Sequence, residues 1–98
     1  MPSYLILFRF TQKGVETIKD SPSRVAAIKK EFKEKGAEVK DFFMLMGRYD
    51  TAFVATAPDD ESMAKLVLSI ARRGNVSTET LRAFTEEEFK KIVEGLQD

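Results

Sequence analysis

Two kinds of hydrophobic spacing divide this chain. At residues 4–10, Tyr-Leu-Ile-Leu-Phe-Arg-Phe, side chains alternate as on an extended segment, with Tyr4, Ile6, Phe8 and Phe10 on one face and Leu5, Leu7 and Arg9 on the other. Both faces are mostly apolar, which predicts a central strand covered on each side. Thr11 to Asp20 is polar and contains Gly14, leaving room for one helical turn near Val15 to Ile18. Ser21-Pro22 then reads as an N-cap followed by proline at the first helical position. The helix it opens runs to about Lys35, with Val25, Ile28 and Phe32 on one stripe and Gly36 as its stop.

A second extended pair follows. Residues 37–46 and 51–57 flank the polar break Gly47-Arg48-Tyr49-Asp50, the pattern of a hairpin. In the first arm Val39, Phe43 and Leu45 alternate with Phe42, Met44 and Met46, and in the second Ala52 and Val54 alternate with Phe53 and Ala55. Asp59 is placed to cap the next helix, in which Met63, Leu66, Val67, Ile70 and Ala71 fall at helical spacing before Arg72-Arg73-Gly74 closes it. Residues 75–84 carry Ser77 and Glu79 on one side and Thr78, Thr80 and Arg82 on the other, a polarity suited to a sheet edge. Thr85-Glu86-Glu87-Glu88 has the spacing of a capping box, and Phe89, Ile92, Val93 and Leu96 line one side of a last short helix.

The order is β-α-β-β-α-β with a C-terminal helix. This is the α+β, ferredoxin-like split arrangement, a four-stranded antiparallel sheet with two helices on one face. The other face is left with large apolar side chains, and burying each is worth roughly 1.5–3 kcal/mol. The pattern therefore predicts a homodimer, or a larger assembly, packed sheet to sheet about a two-fold axis.

Ninety-eight residues, 43% apolar and 33% charged, form one ordered domain over 1–98 with a single core. No apolar run is long enough for a membrane span, and Met1-Pro2-Ser3 opens no secretory signal, so a cytoplasmic location is expected. Sixteen basic and sixteen acidic residues are dispersed, which argues against nucleic acid as a partner. With neither Cys nor His, thiolate chemistry, disulfides and the commonest ligands of zinc and haem are absent, and no cofactor is expected.

The remaining candidates for chemistry are few. Tyr49 and Asp50 read either as a binding or acid/base pair, or as turn residues in which Asp50 bonds backbone amides and Tyr49 packs its ring. Arg48 is a clamp for an anion or a solvated turn residue. Thr78, Thr80 and Arg82 lie beside Arg9 or beneath the helices, as a ligand-binding group or as a protected edge. Gly47, Gly74 and Asn75 are assigned to turns. Met44, Met46 and Met63 read as core filler.

Met46-Gly47-Arg48-Tyr49-Asp50, then Ala57-Pro58-Asp59-Asp60-Glu61, then 74–85 from Gly74-Asn75 to Phe84-Thr85 together resemble the GYD domain family, in register over nearly the whole chain. Arg48 interrupts the literal Gly-Tyr-Asp tripeptide. The resemblance implies a ferredoxin-like fold of the dimeric α/β-barrel kind and no established activity. The function expected is a small homo-oligomeric domain binding a small molecule or a protein. The alternatives are a cofactor-independent monooxygenase- or isomerase-like enzyme acting on a small carbonyl compound, with Tyr49, Asp50, Arg9 or Arg82 handling protons and charge, and a purely structural assembly module.

Overall fold

The architecture follows from which face of each strand finds a helix to cover it. The computed structural model describes residues 1–97. Its elements are β1 (Ser3–Phe10), α1 (Gln12–Glu16), a 3-10 turn (Ile18–Asp20), α2 (Ser21–Glu34), β2 (Glu38–Met44), β3 (Thr51–Thr56), α3 (Asp60–Ala71), β4 (Val76–Ala83) and α4 (Glu86–Glu94). The strands form one antiparallel sheet in the order β2-β3-β1-β4. The strand with two apolar faces is an inner one, and polar β4 is an edge, as the patterns predict.

The register divides the sheet cleanly. Tyr4, Ile6 and Phe8 stand opposite Ala55, Phe53 and Thr51, and these side chains meet α2 and α3 in a core completed by Ile28, Phe32, Met63, Leu66 and Ile70. Phe53 is its hub, with edge-on ring contacts to Phe8 at 4.9 Å, Phe42 at 5.8 Å and Phe32 at 6.1 Å. Glu31 ties α2 to α3: it accepts a 2.8 Å bond from Ser69 Oγ and pairs with the Arg73 guanidinium, which holds its carboxyl below the usual range. On the opposite face Leu5 and Leu7 sit beside Val54, Ala52 and Leu81, with Phe43 next along, and among the described residues no helix packs over them.

Four local expectations are corrected. Ser21 is not an N-cap: the 3-10 turn runs directly into α2, so Ser21 already has helical φ and ψ and Asp20 precedes the helix without a side-chain bond. A bulge at Lys40 breaks the alternation of β2. Val39 therefore joins Phe42 and Met44 on the helix face, while Phe43 faces outward opposite Ala52. Met63 is core, but Met44 and Met46 are exposed, because β2 extends past the cover of α2 and Met46 sits in the turn. Between Thr11 and Asp20 there are two short helical pieces rather than one.

α4 forms with the predicted Thr85–Glu88 capping box but stops at Glu94, capped by Gly95, so that Leu96 lies beyond it, and it contributes no buried side chain. Phe89, Ile92, Val93 and Leu96 stay 61, 49, 46 and 69% exposed. The chain measures 54 × 31 × 19 Å with a radius of gyration of 15.0 Å, against about 13 Å for a compact chain this long.

Candidate functional site

The Gly47–Asp50 turn is held by long-range bonds to β1 as well as by its own backbone. Gly47 has φ +147°, a conformation costly for any residue with a Cβ. Asp50 accepts from the backbone N–H of Phe10 at 2.8 Å through Oδ2, while its own N–H donates to Phe8 carbonyl oxygen at 2.8 Å. Leu45 N–H closes the turn onto Asp50 carbonyl oxygen at 2.8 Å. The carboxylate thus satisfies the end of β1, some 40 residues earlier, and not the turn itself.

Tyr49 projects across the uncovered sheet face. Its hydroxyl donates to Glu79 Oε1 at 2.5 Å, which raises the phenol pKa, and the Arg9 guanidinium lies 5.1 Å from the ring centroid. Arg9 Nε also donates to Arg48 carbonyl oxygen at 2.8 Å. Arg9, Arg48, Tyr49 and Glu79 therefore bind β1, the turn and β4 together at one end of the uncovered face. Glu79 is the member that the sequence reading missed; only its place in the β4 alternation signals it.

Thr78, Thr80 and Arg82 are on the helix face, opposite Phe8, Ile6 and Tyr4. Thr80 and Arg82 line a cleft under α3 away from Arg9, whereas Thr78 also borders an open pocket shared with Arg9, Tyr49 and Glu79. Arg82 lies over the Phe84 ring at 4.4 Å and the Tyr4 ring at 5.6 Å, and Tyr4 hydroxyl donates to Asp60 Oδ1 at 2.5 Å. Burial, then the Asp60 bond, pushes the Tyr4 pKa up to about 12. This second cluster docks the start of α3 on the sheet.

A separate cavity of about 110 Å³ opens between α2 and the sheet, floored by apolar residues that include Phe8, Ile28, Phe53 and Val76 and rimmed by Ser21, Arg24, Arg73 and Asn75. Of the residues singled out from sequence, Asn75 alone reaches it. Arg24 went unremarked in the sequence and Arg73 was read only as a cation closing α3; each lies about one turn from a core residue, Ile28 and Ile70 respectively. Among the described residues no group of three or more acidic side chains is placed to hold a metal ion, and no helix is long and apolar enough to cross a membrane.

With this turn, sheet and order in place, the GYD domain family model matches residues 4–93. The chain belongs to the GYD domain family. It is 33% identical over 84 residues to the glutamine synthetase and cystathionine beta-lyase binding protein of Thermus thermophilus, covering 85% of this chain and 88% of that one. The crystal structure of TTHA0845, also from Thermus thermophilus, is similar to it at TM-score 0.56 and 25% identity, over 87% of this chain and 95% of that one. The crystal structure of MtbAldR shares the fold alone, at TM-score 0.59 and 14% identity, over 87% of this chain and 52% of that one. In this GYD domain, the tyrosine and aspartate of the motif have their polar atoms engaged within the chain.

Two outcomes follow from this geometry. Replacing Asp50 with Ala strands the Phe10 N–H and costs about 1–3 kcal/mol in urea unfolding, whereas Asp50→Asn, which keeps an acceptor, costs less. In a Tyr49→Phe variant, which leaves Tyr4 as the sole tyrosine, phenolate absorbance titrates at about 12 when folded and near 10 when unfolded. Because the folded pKa is the higher, the stability it contributes is complete below pH ~10 and is lost as pH rises through ~12. A folded-state step near 10 contradicts the Tyr4–Asp60 assignment.

Proposed function

We propose that this GYD domain works as a homodimeric protein-binding module. Its uncovered sheet face packs against a second copy, and α4 clasps that copy. The observation that carries the reading is the amount of apolar surface a single chain leaves to water. Leu5, Leu7, Phe43, Val54 and Leu81 share one sheet face, and Phe89, Ile92 and Val93 at i, i+3 and i+4 on α4, with Leu96 just beyond its end, are all exposed. Such surface is characteristic of permanent interfaces, which resemble a core cut in half.

The Thermus thermophilus relative is named for binding two metabolic enzymes, and this supports a protein as the further partner. The enzyme-like alternative calls for Tyr49, Asp50, Arg9 and Arg82 to converge on one cavity, and they are divided: none lines the cavity beneath α2, Arg82 lines a separate cleft under α3, and Arg9 and Tyr49 lie on the uncovered face. A cytoplasmic setting fits a module that meets metabolic enzymes.

The test is biolayer interferometry with immobilised glutamine synthetase and cystathionine beta-lyase from the source organism. The wild-type dimer is expected to bind at least one of them. A Leu7→Asp/Leu81→Asp variant, folded but monomeric, is expected to lose bivalency and bind about a hundredfold more weakly. If neither enzyme binds at micromolar concentration, the protein-binding reading is wrong. A double variant that remains dimeric overturns the sheet-to-sheet interface.

A further inference from the structure

We infer that the cavity beneath α2 is a binding site for a small apolar monocarboxylic acid, with Arg24 as the carboxylate receptor. The inference is independent of the dimer and of any protein partner. The cavity is walled by aromatic and branched side chains, and its volume of about 110 Å³ is of the size that holds a single ring or a short branched chain. Its charged groups are the two arginines, and buried Thr51 adds a hydroxyl on the sheet side.

The two arginines at that rim are not equivalent. Arg73 is neutralised by Glu31. Arg24 donates from Nη1 to Thr17 Oγ1 at 3.0 Å, and among the described residues no carboxylate lies within ion-pair distance of it. A half-buried guanidinium with an uncharged partner retains donors and full charge for an anion, and a charge-assisted bond there is stronger than a neutral one.

The rest of the rim is built rigidly. Thr11 Oγ1 donates to Gly74 carbonyl oxygen at 2.5 Å, Thr11 N–H to Asn75 carbonyl oxygen at 3.1 Å, and Lys13 Nζ to Arg73 carbonyl oxygen at 3.0 Å. Gly14 lets α1 approach so closely that an added Cβ would stand 2.1 Å from the Asn75 carbonyl oxygen. These contacts hold the Asn75 backbone at the cavity mouth across from Arg24. No acidic group lines the cavity to receive an ammonium, so the ligand chemistry is that of a simple carboxylic acid rather than an amino acid.

Two-dimensional amide NMR of the whole chain, titrated with benzoate and with 3-methylbutanoate, tests the site. Millimolar acid is expected to shift the amides of Val25, Ile28, Phe53 and Val76. Benzamide, isosteric with benzoate but uncharged, is expected to bind about tenfold more weakly, as is benzoate to an Arg24→Gln variant with an otherwise unchanged spectrum, while Arg24→Lys retains much of the binding. No shifts at millimolar acid, shifts confined to another surface, or equal binding of benzamide would each overturn the site.

Discussion

A four-stranded sheet has two faces, and this chain supplies packed helices for one of them. The rest of the structure depends on that imbalance. β1 is apolar on both sides, so Tyr4, Ile6 and Phe8 are buried by α2 and α3 while Leu5 and Leu7, half-buried beside Val54 and Leu81, have no packed helix over them among the described residues. Ala52 is almost wholly buried on that same face because larger neighbours, Leu7 and Phe43, stand on either side of it. α4 adds a second bare stripe outside the body. Removing such surface from water at roughly 25 cal/mol per Å² is the largest favourable term still open to the folded chain, and a second copy is a ready source of matching surface.

The Gly47–Asp50 turn answers the same need to secure strand ends. Its carboxylate satisfies an amide of β1, and its tyrosine spans to Glu79 of β4 with Arg9 against the ring. One short turn thereby fixes three strands relative to one another at the rim of the uncovered face. Any residue with a Cβ at Gly47, or any side chain without an acceptor at Asp50, loosens that arrangement. The bonds made by Tyr49 and Asp50 hold the edge of this surface in shape.

Much of the fold was legible because its signals are local. The alternation at Tyr4–Phe10, the spacing from Met63 to Ile70, the glycine stops at Gly36 and Gly74 and the Thr85–Glu88 box each act over one or two turns or a single strand, and each appears where it was predicted. The bulge at Lys40 was not legible, since it depends on how β2 is threaded against β3, and so Val39 was assigned to the wrong face. The polar residues were identified by type, but their partners were not: Asp50 finds Phe10, Tyr49 finds Glu79 and Tyr4 finds Asp60 only after the strands are aligned. Arg24 escaped notice because an arginine one turn from a core isoleucine looks like any solvated helix charge until the cavity beside it is seen.

The central claim is that the uncovered sheet face and α4 are an interface between copies of this chain. Sedimentation equilibrium on the unmodified protein through the micromolar range tests it most directly, because mass is read without labels, partners or substitutions. The expected result is twice the chain mass, or a higher whole multiple, persisting on dilution. A single-chain mass across the whole range, with Leu7, Leu81 and the stripe of α4 left in water, would contradict it.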